Sequence, residues 1–106
     1  MINITEARYN YDNPLPAPVR KKANKICQKY NGWHDPSEIR ELWGELLELG
    51  IDVGMLTNRR DNGGGSWTVT QPFEYNGEIC DNSVLVFDCY EGNYDTTKND
   101  YNIYIS

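Results

Sequence analysis

A chain of 106 residues has room for one domain, and a net charge of −6 argues against a general binder of nucleic acid or anionic membrane. No apolar run approaches the ~18 residues of a membrane span, and Met1 to Glu6 lacks the basic and apolar regions of a signal peptide. Three Cys, an odd number beside no export signal, point to reduced thiols and a cytoplasmic protein.

Aliphatic residues are few, so eight Tyr and three Trp must supply much of the buried area. Charge is unevenly placed. Residues 1–60 balance to +1, whereas residues 61–106 balance to −7 with Lys98 as their one basic side chain. Apolar spacing changes near the same point, from helical to strand-like. The expectation is a single α+β domain over 1–106, with two N-terminal helices packed on an antiparallel sheet of three or four strands.

In chain order, Ile2 to Tyr11 reads as a short strand. Pro14, Pro16 and Pro18 then forbid regular structure, because proline lacks an amide hydrogen and biases its predecessor toward extended geometry. Pro18 suits a helical first turn, after which Val19, Ala23, Ile26, Cys27 and Tyr30 recur at helical spacing, with Gly32 at the exit. A second helix starts at Asp35-Pro36-Ser37-Glu38, which offers an N-cap acceptor, Pro at the first position and Glu three residues after the cap. Its stripe is Ile39, Leu42, Trp43, Leu46 and Leu49, and Gly50 serves as a left-handed C-terminal cap. Gly44 weakens this helix by about 1 kcal/mol relative to Ala, a cost that close packing would explain.

Sheet follows. Ile51 to Thr57 is an expected strand leading into the Asn58–Gly65 loop. Tyr75-Asn76-Gly77-Glu78 is a hairpin signal, since Asn-Gly tolerates the positive φ angles of a type I′ turn. Carried outward, its register sets Val69 opposite Val84 and Trp67 opposite Val86. Trp67, Val69, Phe73, Cys80, Val84 and Val86 then share one face, unless Pro72 introduces a bulge. Ser83 to Phe87 reads as a central strand and Tyr101 to Ile105 as the last one.

The chemistry is sparse. A Gly-Lys-Ser/Thr phosphate loop is missing, His34 is the lone histidine, and no Cys-x-x-Cys pair occurs. Cys27, Cys80 and Cys89 read as buried thiols, although a Cys27–His34 pair stays open. Asp88, Glu91, Asp95 and Asp100 surround a Gly/Asn-rich loop but lack EF-hand spacing. The expectation is a non-enzymatic protein without metal or cofactor. An alternative is a small anion- or nucleotide-binding domain, or an enzyme, using Arg59, Arg60, Gly63 and Gly64 of the 59–65 loop. A further alternative is a homo-oligomeric structural subunit.

Sorting of charge is the stronger signal. Lys21, Lys22, Lys25 and Lys29 line the first helix opposite its apolar stripe, and Glu38, Glu41, Glu45 and Glu48 line the second. Like charges at this spacing cost a few tenths of a kcal/mol per pair, so stability alone would mix them. Residues 93–102 interleave aromatic, amide and carboxylate groups. Asp88, Glu91, Tyr94, Asp95, Asp100 and Tyr101, with the four helical glutamates, are therefore the candidate contacts for a protein partner with a basic, nucleic-acid-binding surface, such as a nuclease.

In size and charge alone the chain resembles phage-encoded anti-CRISPR and anti-restriction proteins. Separately, Tyr11 to Leu47, with Arg20, Ala23, Cys27, Tyr30-Asn31, Asp35-Pro36 and Leu46-Leu47, resembles the helical N-terminal segment of sugar O-acetyltransferases. The hexapeptide-repeat β-helix of that family does not follow, so neither its activity nor its residues are carried over.

Overall fold

The computed structural model describes residues 13–54, 65–92 and 98–106, together with the backbone of 61–63. Helix α1 spans Ala17–Gln28 and helix α2 spans Pro36–Glu48, both with Pro in the first turn as the sequence predicts. The capping box forms, with the Asp35 amide donating to Glu38 Oε1 at 3.1 Å. Gly50 ends the second helix at φ 85°. A Cβ there would sit 2.5 Å from Asn76 Oδ1, so the cap is also a close approach to the hairpin turn. Gly44 does not pack closely: it is exposed, and a Cβ built on it meets nothing within 4 Å.

The expected single sheet is two sheets. Strands β1 (Gly32–His34), β3 (Asp61–Gly63), β4 (Ser66–Gln71), β7 (Leu85–Tyr90) and β8 (Asn99–Ile105) form an antiparallel sheet of order β1-β8-β7-β4-β3. Strands β2 (Ile51–Asp52), β5 (Glu74–Tyr75) and β6 (Glu78–Ile79) form a small second sheet. The expected strand from Ile51 thus stops at Asp52, while residues 55–60 and the Ile2–Tyr11 strand lie outside the described residues.

The Asn76-Gly77 turn is as expected, with φ 54° and 89° and Tyr75 opposite Glu78. That register persists as far as Cys80, whose amide donates to the Phe73 carbonyl at 2.9 Å. Beyond it the pairing changes: Val69 faces Phe87 and Trp67 faces Cys89, not Val84 and Val86. Pro72 cannot donate to the ladder, and the returning chain takes up three extra residues across Asp81–Val84. Asn82 organises this detour through its Oδ1, which accepts from the Leu15 amide (2.8 Å), Cys80 Sγ (3.2 Å) and Ser83 Oγ (3.3 Å). Arg20 Nη2 donates to the buried Ser83 Oγ at 2.7 Å, tying α1 to the same point.

An odd slip exchanges the faces of a strand. Leu85, Phe87 and Cys89 therefore point inward, while Val84 and Val86 are only half-buried. Tyr101, Ile103 and Ile105 join them from β8, and Ala23, Cys27, Ile39, Leu42 and Leu46 meet them from the helices. Phe87 is the hub, with ring centroids 5.1 Å from Trp67, 5.5 Å from Tyr101 and 5.6 Å from Trp43. Each tilted aromatic contact adds about 0.5–1.5 kcal/mol beyond the area it buries. All three cysteines are free and buried, as expected, and desolvation pushes the Cys27 thiol up to about 12.

Beyond the start of β1, the β8 edge is closed by amide side chains. Asn31 Oδ1 accepts from the Ile103 amide at 2.7 Å. Asn24 receives the Ile105 amide on Oδ1 (2.8 Å) and donates Nδ2 to the Ile105 carbonyl (2.9 Å), standing in for a neighbouring strand.

Two stability predictions result. Asn24→Ala strands both backbone groups of Ile105 and is expected to cost about 1–3 kcal/mol in denaturant unfolding. Asn24→Asp, which keeps the acceptor, should fall between wild type and Asn24→Ala. Gly44→Ala should raise stability by up to about 1 kcal/mol, and a loss on substitution would mean that the glycine has a packing role after all.

Candidate functional site

The five-stranded sheet has two unlike faces. Helices cover the inner one. No described element packs over the outer one, whose side chains alternate with the core positions along each strand. Reading across β4, β7, β8 and β1, one row is Ser66, Tyr90, Asp100 and Trp33. The next row is Thr68, Asp88 and Asn102, followed by Thr70, Val86 and Tyr104. Three of the four exposed large hydrophobic residues of the described chain lie here: Trp33 (54% exposed), Tyr90 (54%) and Tyr104 (42%).

Ser66, Thr68, Asp88, Tyr90, Asp100 and Asn102 line an open depression of about 270 Å³. Asp88 and Asp100 are diagonal neighbours across β7 and β8, where side chains typically stand ~7–8 Å apart. Neither carboxylate has a hydrogen bond or ion pair to another described residue, and no described outward position of these strands is Lys or Arg. The site is therefore a small anionic patch framed by aromatic rings.

The residues expected from sequence do not all gather on it. Asp88 and Asp100 do. Glu91 follows β7 and binds through its amide to the Gly65 carbonyl at 2.8 Å. Tyr101 is a correction: at 5% exposure it points inward against Phe87, and burial raises its phenol above the ordinary range. Tyr94 and Asp95 lie outside the described residues, as do Arg59, Arg60 and Gly64 of the alternative anion loop, whose Gly63 closes β3.

The helical glutamates lie on α2, which packs on the inner face through Trp43 and Phe87. Two of them have local work. Glu38 accepts from the Asp35 amide and lies 3.0 Å from His34 Nδ1, and these contacts, the histidine first, hold its carboxyl below the usual range. The second ring nitrogen of His34 faces the Asn31 carbonyl at 3.3 Å, so this histidine is an orienting group between β1 and α2. Cys27 is buried in the core, and no contact joins it to His34. Glu45 meets Lys29 Nζ at 2.5 Å and accepts the Tyr30 hydroxyl, contacts that lower its carboxyl. Burial, and then Glu45, push the Tyr30 phenol up to about 12. The basic ridge thus meets the acidic ridge where α1 and α2 pack together. Glu41 and Glu48 are exposed, like Lys21, Lys22 and Lys25.

Sequence reasoning missed Trp33, Tyr90 and Tyr104. The alternation of Asp100, Asn102 and Tyr104 with Tyr101, Ile103 and Ile105 was the available signal. Among the described residues no group of three His, Cys, Asp or Glu is placed to hold a metal ion, and no helix is long and apolar enough to cross a membrane.

Acid should weaken the fold through Glu38 and Glu45. Their folded carboxyls titrate below the unfolded value of about 4.3, so their contribution is complete above that pH and is lost as pH falls through the folded values. The urea midpoint is expected to drop on acidification below about pH 4.3, and Glu45→Gln should flatten part of that drop. An identical pH profile in the variant would mean that the Lys29–Glu45–Tyr30 contact adds nothing.

No protein-family model matches this sequence, and comparison with curated proteins and with solved structures found no match.

Proposed function

We propose that the protein is a non-enzymatic binding protein that occupies a basic surface of a partner protein through the outer face of its five-stranded sheet. One observation carries this reading: Asp88 and Asp100 stand on that face without a described partner, beside three exposed aromatic rings and with no Lys or Arg at a described outward position of its strands. Carboxylates pair with the Arg and Lys that otherwise hold phosphate, and exposed aromatic rings add contact area and attract cations. A surface held on strands also binds with little loss of conformational entropy. Inhibition by occupying a nucleic-acid-binding surface, of the anti-CRISPR or anti-restriction kind by analogy of size and charge, is the activity most in keeping with such a face. The helical ridges play no part in this reading, because α2 lies on the other side of the sheet.

Titration against a positively charged nuclease at rising salt tests the idea. Affinity is expected to fall about tenfold or more between roughly 50 and 200 mM salt. Asp88→Asn with Asp100→Asn should weaken it at least about fivefold, while Glu41→Gln with Glu48→Gln leaves it unchanged. Salt-insensitive binding, or dependence on the ridge in place of the sheet, would overturn the proposal.

A further inference from the structure

Resting on that reading, the outer face also says which cation it takes. Across the sheet, Trp33 on β1 and Tyr90 on β7 flank Asp100 on β8 in one cross-strand row. Strands lie about 4.8 Å apart, so the backbones bearing the two rings are separated by roughly 9.6 Å. A flat group held between two rings at van der Waals contact needs about 7–8 Å. The row therefore has room for one planar group directly above a carboxylate. Both rings are half exposed, and Asp100 has no described partner to give up.

We infer that this row is a seat for a guanidinium group, and that the partner presents an arginine side chain to it. Asp100 accepts two parallel N–H bonds, Tyr90 and Trp33 flank the plane, and Asp88 with Asn102 Oδ1 lies one row away to accept the remaining donors. Lysine fits poorly. Its ammonium is a compact, strongly hydrated point charge with no flat face to lay between rings. A phosphate or other anion is disfavoured by both carboxylates.

The test compares an eight-residue arginine peptide with an eight-residue lysine peptide of equal charge, each titrated into the intact chain at one fixed salt concentration. The arginine peptide is expected to bind about tenfold more tightly. Trp33→Ala with Tyr90→Ala should bring that ratio near one while leaving weaker, salt-sensitive binding of both peptides. Asp100→Asn should weaken both. All three residues are exposed, and the unfolding midpoint of each variant serves as the folding check. Equal affinity for the two peptides in wild type would overturn the guanidinium seat and leave the acidic docking face standing. Absence of binding by either peptide would overturn both. Self-association that rises with concentration and is abolished by Lys21→Glu with Lys22→Glu would assign the face to a second copy, and would likewise overturn the seat.

Discussion

The architecture depends on one missing amide hydrogen and the detour that answers it. At Pro72 the ladder begun at the Asn76-Gly77 turn loses a donor, and the returning strand inserts three residues before pairing resumes. Because the insertion is odd, every side chain of β7 changes face. Phe87 becomes the centre of the aromatic core, and Asp88, its neighbour, is directed to the open side. The same break divides one long hairpin into two sheets. Asn82 and Ser83 then give Leu15 and Arg20 hydrogen-bonding partners at the junction. Core and candidate site have one origin.

The two layers also resolve the charge pattern into separate roles. Sequence alone presents two like-charged ridges, each mildly costly by itself. Packing α1 beside α2 brings Lys29 to Glu45 and Tyr30 to the same carboxylate, so the sorted signs are partly reconciled within the molecule. Such an exposed pair contributes little to stability, about 0–1 kcal/mol, and its greater consequence is for binding. A glutamate already holding a lysine and a tyrosine is a poor anchor for a partner. Asp88 and Asp100 have no such contact among the described residues.

Asparagine has a structural part that composition conceals. Asn24, within α1, and Asn31, the residue before β1, satisfy the edge of β8 with side-chain amides where no described strand reaches it. Such an edge left bare would invite another chain to pair with it. Asn13 does similar work on the small sheet, donating to the carbonyls of Tyr75 and Glu78 at 3.0 and 2.9 Å. These contacts span long sequence separations. Their donors and acceptors carry no periodic signal, so they became visible only once the chain was folded.

Local rules determined what lies within a turn or two of itself. The capping box at Asp35, the left-handed cap at Gly50, the type I′ turn at Asn76-Gly77 and the alternation along β8 each follow from neighbouring residues whose backbone preferences agree. Leu85-Val86-Phe87 is different. Both of its alternating sets begin apolar, so hydrophobicity could not decide which faced inward, and the answer came from a proline thirteen residues earlier and the detour across from it. The three-residue strand at Trp33 was likewise too short to leave a pattern, and it exists because β8 offers it an edge. Sidedness, and with it the meeting of Trp33, Asp100 and Tyr90, was settled by pairing across the sheet, because a strand's own sequence fixes its alternation but not its register.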